Sequence, residues 1–208
     1  KNIKDILKNF NASDFNSKII DLHIHTKCSD GKGDYEQIIN SAKNQNYKLI
    51  AITDHNSVEV HTKSEDEILL TGVEFDCWFK GVFIHLLAYG IDINNSHLKP
   101  FFAKNKIGTE NMVLRLFSKR NVPELIKAIH SANGIAVLAH PACYWALNLD
   151  NFVKQLIDIG LDGIETYYPY SRFRRIVKFH SSKDVLKIAE KYPQLIKTGG
   201  TDFHGETF

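Results

Sequence analysis

Histidines and carboxylates close the apolar, β-branched runs of this 208-residue chain. Asp21-Leu-His23-Ile-His25 follows Ile19-Ile20, Asp54-His55 follows Leu49-Ile-Ala-Ile-Thr53, and Glu74 follows Ile68-Leu-Leu-Thr-Gly-Val73. His140 ends Ile135-Ala-Val-Leu-Ala139, and Thr201-Asp202-Phe-His204 comes after Leu195-Ile-Lys-Thr-Gly-Gly200. A strand that only packs has no need to end in a metal-binding group. Repeated endings of this kind point to one rim of a sheet where imidazoles and carboxylates meet. In His23-Ile-His25 the alternation of strand side chains puts both rings on one face, within reach of a common cation. Alone that pair is a weak signal. Joined by Asp30, His55, Glu74, His85, His140, Asp202 and His204 it becomes a candidate metal site. Mixed imidazole and carboxylate ligation suits Zn, Mn or Fe better than Ca or Mg.

The elements that must position these residues alternate between short apolar runs and amphipathic stretches. Residues 34–45 read as a helix with Asp34 as its cap. Residues 123–134 read as another, with Pro123 in the first turn and Gly134 at the end. Residues 150–160 and 181–192 complete the set. Alternation of this kind predicts an α/β fold with a mostly parallel sheet. One connection breaks it: Glu74 and His85 are too close in sequence for a parallel crossover, so they should lie on an antiparallel hairpin, with Asp76–Gly81 as its turn. The hairpin brings His85 to the same rim. The stretch 90–132 reads as mainly helical without an obvious ligand, and residues 1–17 as an N-terminal helical extension of a single domain spanning 1–208. The chain starts without Met and stops four residues after His204, which is compatible with excision from a longer protein.

Bulk properties narrow the function classes. Hydrophobic content of 43% and charged content of 24% are ordinary for a globular domain with a sizeable core. A net charge of +2 is too small to imply a dedicated nucleic-acid surface. No apolar run approaches the roughly 20 residues of a membrane span, and the N-terminus is interrupted too early for a signal peptide. Three cysteines, odd in number and without a Cys-x-x-Cys pair, predict a reducing, cytoplasmic setting.

The spacing resembles a known pattern. Asp21-Leu-His-Ile-His-Thr-Lys-Cys-Ser-Asp-Gly31 resembles the first motif of the PHP (polymerase and histidinol phosphatase) superfamily. Thr53-Asp-His55 is similar to its second, Gly72-Val-Glu74 with His85 to its third, and Ala139-His-Pro141 and Asp202-Phe-His-Gly205 to its last two. The resemblance implies a distorted (β/α)7 barrel with two or three divalent metals at the C-terminal rim of the strands. Carried over, His23, His25, Glu74 and Asp202 hold one metal; Glu74 bridges to a second, completed by His85 and His140; Asp30, His55 and His204 hold a third. About three ligands per cation leaves positions open for water and substrate. Three divalent ions against three carboxylates leave a formal charge of about +3, which favours an anionic substrate.

The expected chemistry is metal-assisted phosphoester hydrolysis of a small phosphorylated molecule, a nucleotide or another phosphomonoester, by a metal-bridging hydroxide. Asp54 is the candidate general acid, or alternatively a residue that orients a ligand. Lys27 and Lys32 flank the first motif; Arg172, Arg174 and Arg175 follow another strand end, with Arg172 the best choice for gripping phosphate. Tyr167, Tyr168 and Tyr170 are candidates for a stacking wall, although the nucleotide-phosphatase branch often carries His near the place of Tyr168. Glu165 is read as a support of the rim, Cys28 as a packed residue, and Trp78 and Phe79 as either a cover or core. Two rivals stand beside this reading: an amidohydrolase, which shares His-x-His but commonly uses a bridging Lys, and a proofreading or accessory module of a polymerase.

Overall fold

Seven strands form one mixed sheet in chain order: β1 Ile20–Ile24, β2 Leu49–Ile52, β3 Leu69–Phe79, β4 Val82–Tyr89, β5 Ile135–Leu138, β6 Gly163–Tyr167 and β7 Ile196–Gly199. The computed structural model describes residues 3–62, 66–170 and 179–208. Pairing is parallel from β1 to β3, antiparallel on both sides of β4, and parallel again from β5 to β7. Past β7 the chain returns to β1 through a parallel bridge between Ile24 and Phe203, with the His25 N–H donating to the Phe203 carbonyl at 2.8 Å. The strand order is that of the distorted (β/α)7 barrel that the family resemblance implies, its two edges pairing, among the described residues, only at this bridge.

Helices pack around it: α1 Ile3–Asn9, α2 Ala12–Asn16, α3 Tyr35–Asn44, α4 Glu59–Thr62, α5 Ile107–Glu110, α6 Met112–Arg115, α7 Val122–Ser131, α8 Leu149–Asp158 and α9 Ser182–Lys191. Asp34 and Ser181 cap α3 and α9 through reciprocal capping boxes, each cap contributing about 1 kcal/mol. On β4, Ile84, Leu86 and Ala88 face a core that includes Leu125, Ile126 and Ile129 of α7. The alternate Leu87 and Tyr89 join Leu22, Leu70, Ile135 and Val137 inside the barrel, where Leu7 and Phe10 also pack. His85 shares that parity at the other end of β4, so the interior changes from apolar to metal-binding along a single strand.

Two expectations differ from the structure. Asp76–Phe79 is not part of the hairpin turn. Phe75, Cys77 and Phe79 are buried on one face, so apolar alternation carries β3 to Phe79. The reversal is the two-residue Lys80-Gly81, both at positive φ. Asp76, not Glu74, is therefore the residue opposite His85. The stretch 90–132 holds only short turns of helix before α7, because Asn, Gly and Pro interrupt it.

Candidate metal centre

The carboxylate of Glu74 stands at the middle of the rim, one oxygen toward each of two histidine pairs, with Oε2 also 3.3 Å from His55 Nε2. Its Oε2 lies 3.2 Å from Nε2 of both His23 and His25. Its Oε1 lies 2.9 Å from His85 Nδ1 and 3.2 Å from His140 Nε2. Asp202 Oδ1 approaches the first pair, at 3.1 Å from His25 Nε2 and 3.5 Å from His23 Nε2. On the far side of His25, Asp30 meets His204 Nε2 at 3.2 Å and His55 Nε2 at 3.7 Å, with His25 Nδ1 also at 3.7 Å. All nine residues that the sequence nominated as ligands come together.

This arrangement fits metal ions. Nitrogen and oxygen ligands about 2 Å from one cation stand roughly 3 Å from each other, and the spacing above matches. Asp30 Oδ1 is buried without a hydrogen bond of acceptable alignment, although two imidazoles are near. The groups His23–His25–Glu74, Glu74–His85–His140, His25–Asp30–His55–His204 and His55–Asp76–His85 are each compact enough to hold an ion.

Local backbone serves the site. His140 and Asp202 adopt positive φ, a costly conformation for non-glycine residues that the surrounding structure enforces. Gly200 lets the end of β7 pass over β1, because a Cβ there would lie 2.2 Å from the Cβ of His23. Gly31 closes the first loop against the His25 carbonyl at a distance no side chain permits.

A second layer holds the rings. Glu165, entirely buried, takes the His23 Nδ1–H at 2.9 Å with one oxygen and the His140 backbone N–H at 2.7 Å with the other. Asp76 Oδ1 lies 3.3 Å from His55 Nδ1 and 3.2 Å from His85 Nε2, and Asn56 donates to its other oxygen. Tyr168 donates its hydroxyl to Asp202 at 2.7 Å. Asp76 was missed because its segment was read as a turn. Arg115 was also missed: it is buried on the short α6, with Nη2 3.2 Å from Asp30 and Nε 3.7 Å from Asp76. The alternation of Glu74 and Asp76 was a usable signal for the first; nothing in the local pattern marked the second.

Asp54, Lys27, Trp78 and Phe79 lie outside the cluster of nine. Asp54 is buried and accepts from the Thr26 N–H, the Thr26 hydroxyl and the Ser29 hydroxyl at 2.6–2.7 Å. Lys27 is on the surface, 3.7 Å from Asp34. Arg172, Arg174 and Arg175 lie outside the described residues. Phe79 joins the core, whereas Trp78 is 43% exposed. His61, His130 and His180, none of them a proposed ligand, bond elsewhere: His61 and His180 to backbone carbonyls and His130 to Asp162.

Charge in the site is strongly coupled. Burial penalises the Glu74 carboxylate, yet His85, His23 and His55 outweigh it and hold Glu74 well below the usual carboxylate range. Asp202 is lowered likewise, with His23 and His25 overcoming burial. For His25, burial opposes protonation, but Asp202 and Glu74 raise it to about 9. Charge on His23 is favoured by Glu165, Glu74 and Asp202 against the same penalty, and its pKa stands well above the ordinary value.

Comparison with known proteins agrees with this geometry. The PHP domain model matches residues 21–201. The chain is 29% identical over 138 residues to the 5'-3' exoribonuclease Rnm of Salmonella typhimurium, covering 60% of the chain and only 47% of that enzyme. It is 21% identical over 261 aligned positions to the phosphoribosyl 1,2-cyclic phosphate 1,2-diphosphodiesterase of Eggerthella lenta, covering 90% and 95%. A crystal structure described as a putative metal-dependent phosphoesterase of Bifidobacterium adolescentis superposes with TM-score 0.67 at 21% identity, covering 90% and 88%. No helix among the described residues is long and apolar enough to cross a membrane. The motifs, the barrel and the converging rim together carry one conclusion: the chain belongs to the PHP domain family.

Proposed function

We propose that the chain is a metal-dependent phosphoesterase, holding two or three divalent ions (Zn, Mn or Fe) and hydrolysing an ester of a small phosphorylated substrate. The observation that carries this is the division of Glu74 between two histidine pairs. In this reading His23, His25, Glu74 and Asp202 hold one ion, Glu74, His85 and His140 a second, and Asp30, His55 and His204 a third. Bound ions supply a water acidic enough to act near neutrality and positive charge for the phosphoryl oxygens.

The protein's own groups do the rest. Glu165 and Asp76 fix the tautomers and planes of the ligand rings. Tyr168 orients Asp202. Asp54 acts as a positioning residue: its oxygens already serve Thr26 and Ser29, and Ser29 Oγ lies 3.4 Å from His25 Nδ1. Lys27 and Arg172 are assigned to the phosphate of the incoming substrate. A carboxylate, rather than the lysine typical of amidohydrolases, stands between the two groups and favours phosphoester over amide hydrolysis. The two relatives are named for nuclease and phosphodiesterase activity, which also cleaves a phosphorus–oxygen ester bond, there in a diester.

Metal analysis of the purified protein, paired with a phosphate-release screen over nucleotides and sugar phosphates, tests this. The expected result is at least two ions per chain and release abolished by a chelator. A fully metallated protein releasing no phosphate from any of them would contradict it.

A further inference from the structure

Beside His85 a cavity of about 310 Å³ opens between the hairpin tip and the turn after β5, lined by Trp78, Val82, Phe83, Cys143, Tyr144 and Trp145. Two of its walls back onto histidines of the candidate metal centre. Trp78 packs on Phe83 at 5.4 Å, Phe83 stands edge-on to His85 at 5.3 Å, and Tyr144 lies 5.6 Å from His140. The Tyr144 hydroxyl accepts the His85 N–H at 2.9 Å and donates to the His85 carbonyl at 3.3 Å, so slot and ligand share one wall. The Trp78 indole N–H donates to the Leu116 carbonyl at 2.7 Å, which sets that ring before any ligand arrives. Trp145 is nevertheless 72% exposed and Trp78 43%.

Exposed indoles flanking a concave slot call for a flat, apolar-faced occupant. Its volume is at the lower end of ligand pockets, roughly 300 Å³ and upward, enough for a base and too small for a folded partner. Phe83 and Tyr144 are walls of the slot and neighbours of His85 and His140, so an ester held at those histidines would have the slot beside it. We propose that the slot is a nucleobase subsite, making the substrate of the proposed phosphoesterase a nucleotide; this rests on that reading for the phosphoryl end only. Stacking accepts any base, because every base has a π-face, so little discrimination among bases is expected.

Trp78 and Trp145 are the two tryptophans of the chain, so intrinsic fluorescence excited at 295 nm reports the slot. Titration of the metal-loaded protein with AMP or adenosine should quench it, while ribose 5-phosphate should not. Trp145→Ala, at a position 72% exposed whose ring also meets Phe179, should raise KM for AMP about tenfold and leave KM for ribose 5-phosphate unchanged. Unchanged fluorescence with adenosine, or equal effects of Trp145→Ala on both substrates, overturns the subsite. If neither substrate releases phosphate, the phosphoesterase reading fails, and the adenosine titration still decides the slot.

Discussion

Glu165 holds the Nδ1–H of His23 at 2.9 Å, which turns the opposite ring nitrogen toward Glu74 and Asp202. The same carboxylate fixes the His140 backbone, so one residue on β6 sets a donor in each of two groups. Outer partners of metal-bound histidines typically carry a factor of roughly 10–100 in metal affinity. Glu165→Gln should therefore weaken metal binding by about that factor while the protein still folds. Metal titration of the variant checks this; wild-type affinity would mean that Glu165 plays no orienting role.

Asp76 braces His55 and His85 together, one from each of two donor groups. Asp76→Ala should lower metal content at both, by at least one ion per chain, and cut phosphate release by about 10-fold or more. Elemental analysis beside a rate measurement reads both. Loss of rate at full metal content would show that Asp76 acts otherwise.

Arg115 supplies a buried positive charge to Asp30 and Asp76. Removing one member of a buried pair leaves its partners uncompensated, at a cost of order 3–5 kcal/mol when nothing replaces it. A divalent cation held by Asp30 replaces part of that charge. Arg115→Met should thus destabilise the chelated protein, and added metal should raise its Tm by more than it raises that of the wild type. Equal metal-induced shifts would contradict this coupling.

Metal binding should release protons. His25 has its pKa raised to about 9, against burial, by Asp202 and Glu74. An imidazole must shed its proton to ligate. Because His25 keeps its proton below about pH 9, and His23 and His140 are raised in the same direction, metal affinity should rise with pH from 6 toward 9. Calorimetry in buffers of different ionisation enthalpy measures the released protons at pH 7; none released would refute the link.

Much of the site was legible because its chemistry follows apolar runs of sequence: His55, His140, Asp202 and His204 lie just past β2, β5 and β7, while His23 and Glu74 sit inside β1 and β3. His23, His25, His55, Glu74, His140, Asp202 and His204 follow their apolar runs, and the barrel brings these residues together at one rim. The antiparallel pairing of β3 and β4 followed from the short spacing alone, but not its register. Asp76-Cys-Trp-Phe contains the alternation of a strand, yet a charged residue followed by Lys80-Gly81 resembles a longer turn, and only the burial of Cys77 and Phe79 decides. Arg115 reaches Asp30 across a tertiary contact from an irregular segment, which no local periodicity encodes. The aromatic slot is hidden for the same reason, since Phe83 and Trp145 come from separate elements and meet only in the fold.

The shared position of Glu74 is the central claim, and counting bound metal in two variants tests it most directly. Glu74→Ala should lose two ions per chain together with phosphate release, whereas His204→Ala should lose no more than one. Equal losses from the two variants, or a Glu74→Ala protein that retains its full metal content, would contradict the bridge.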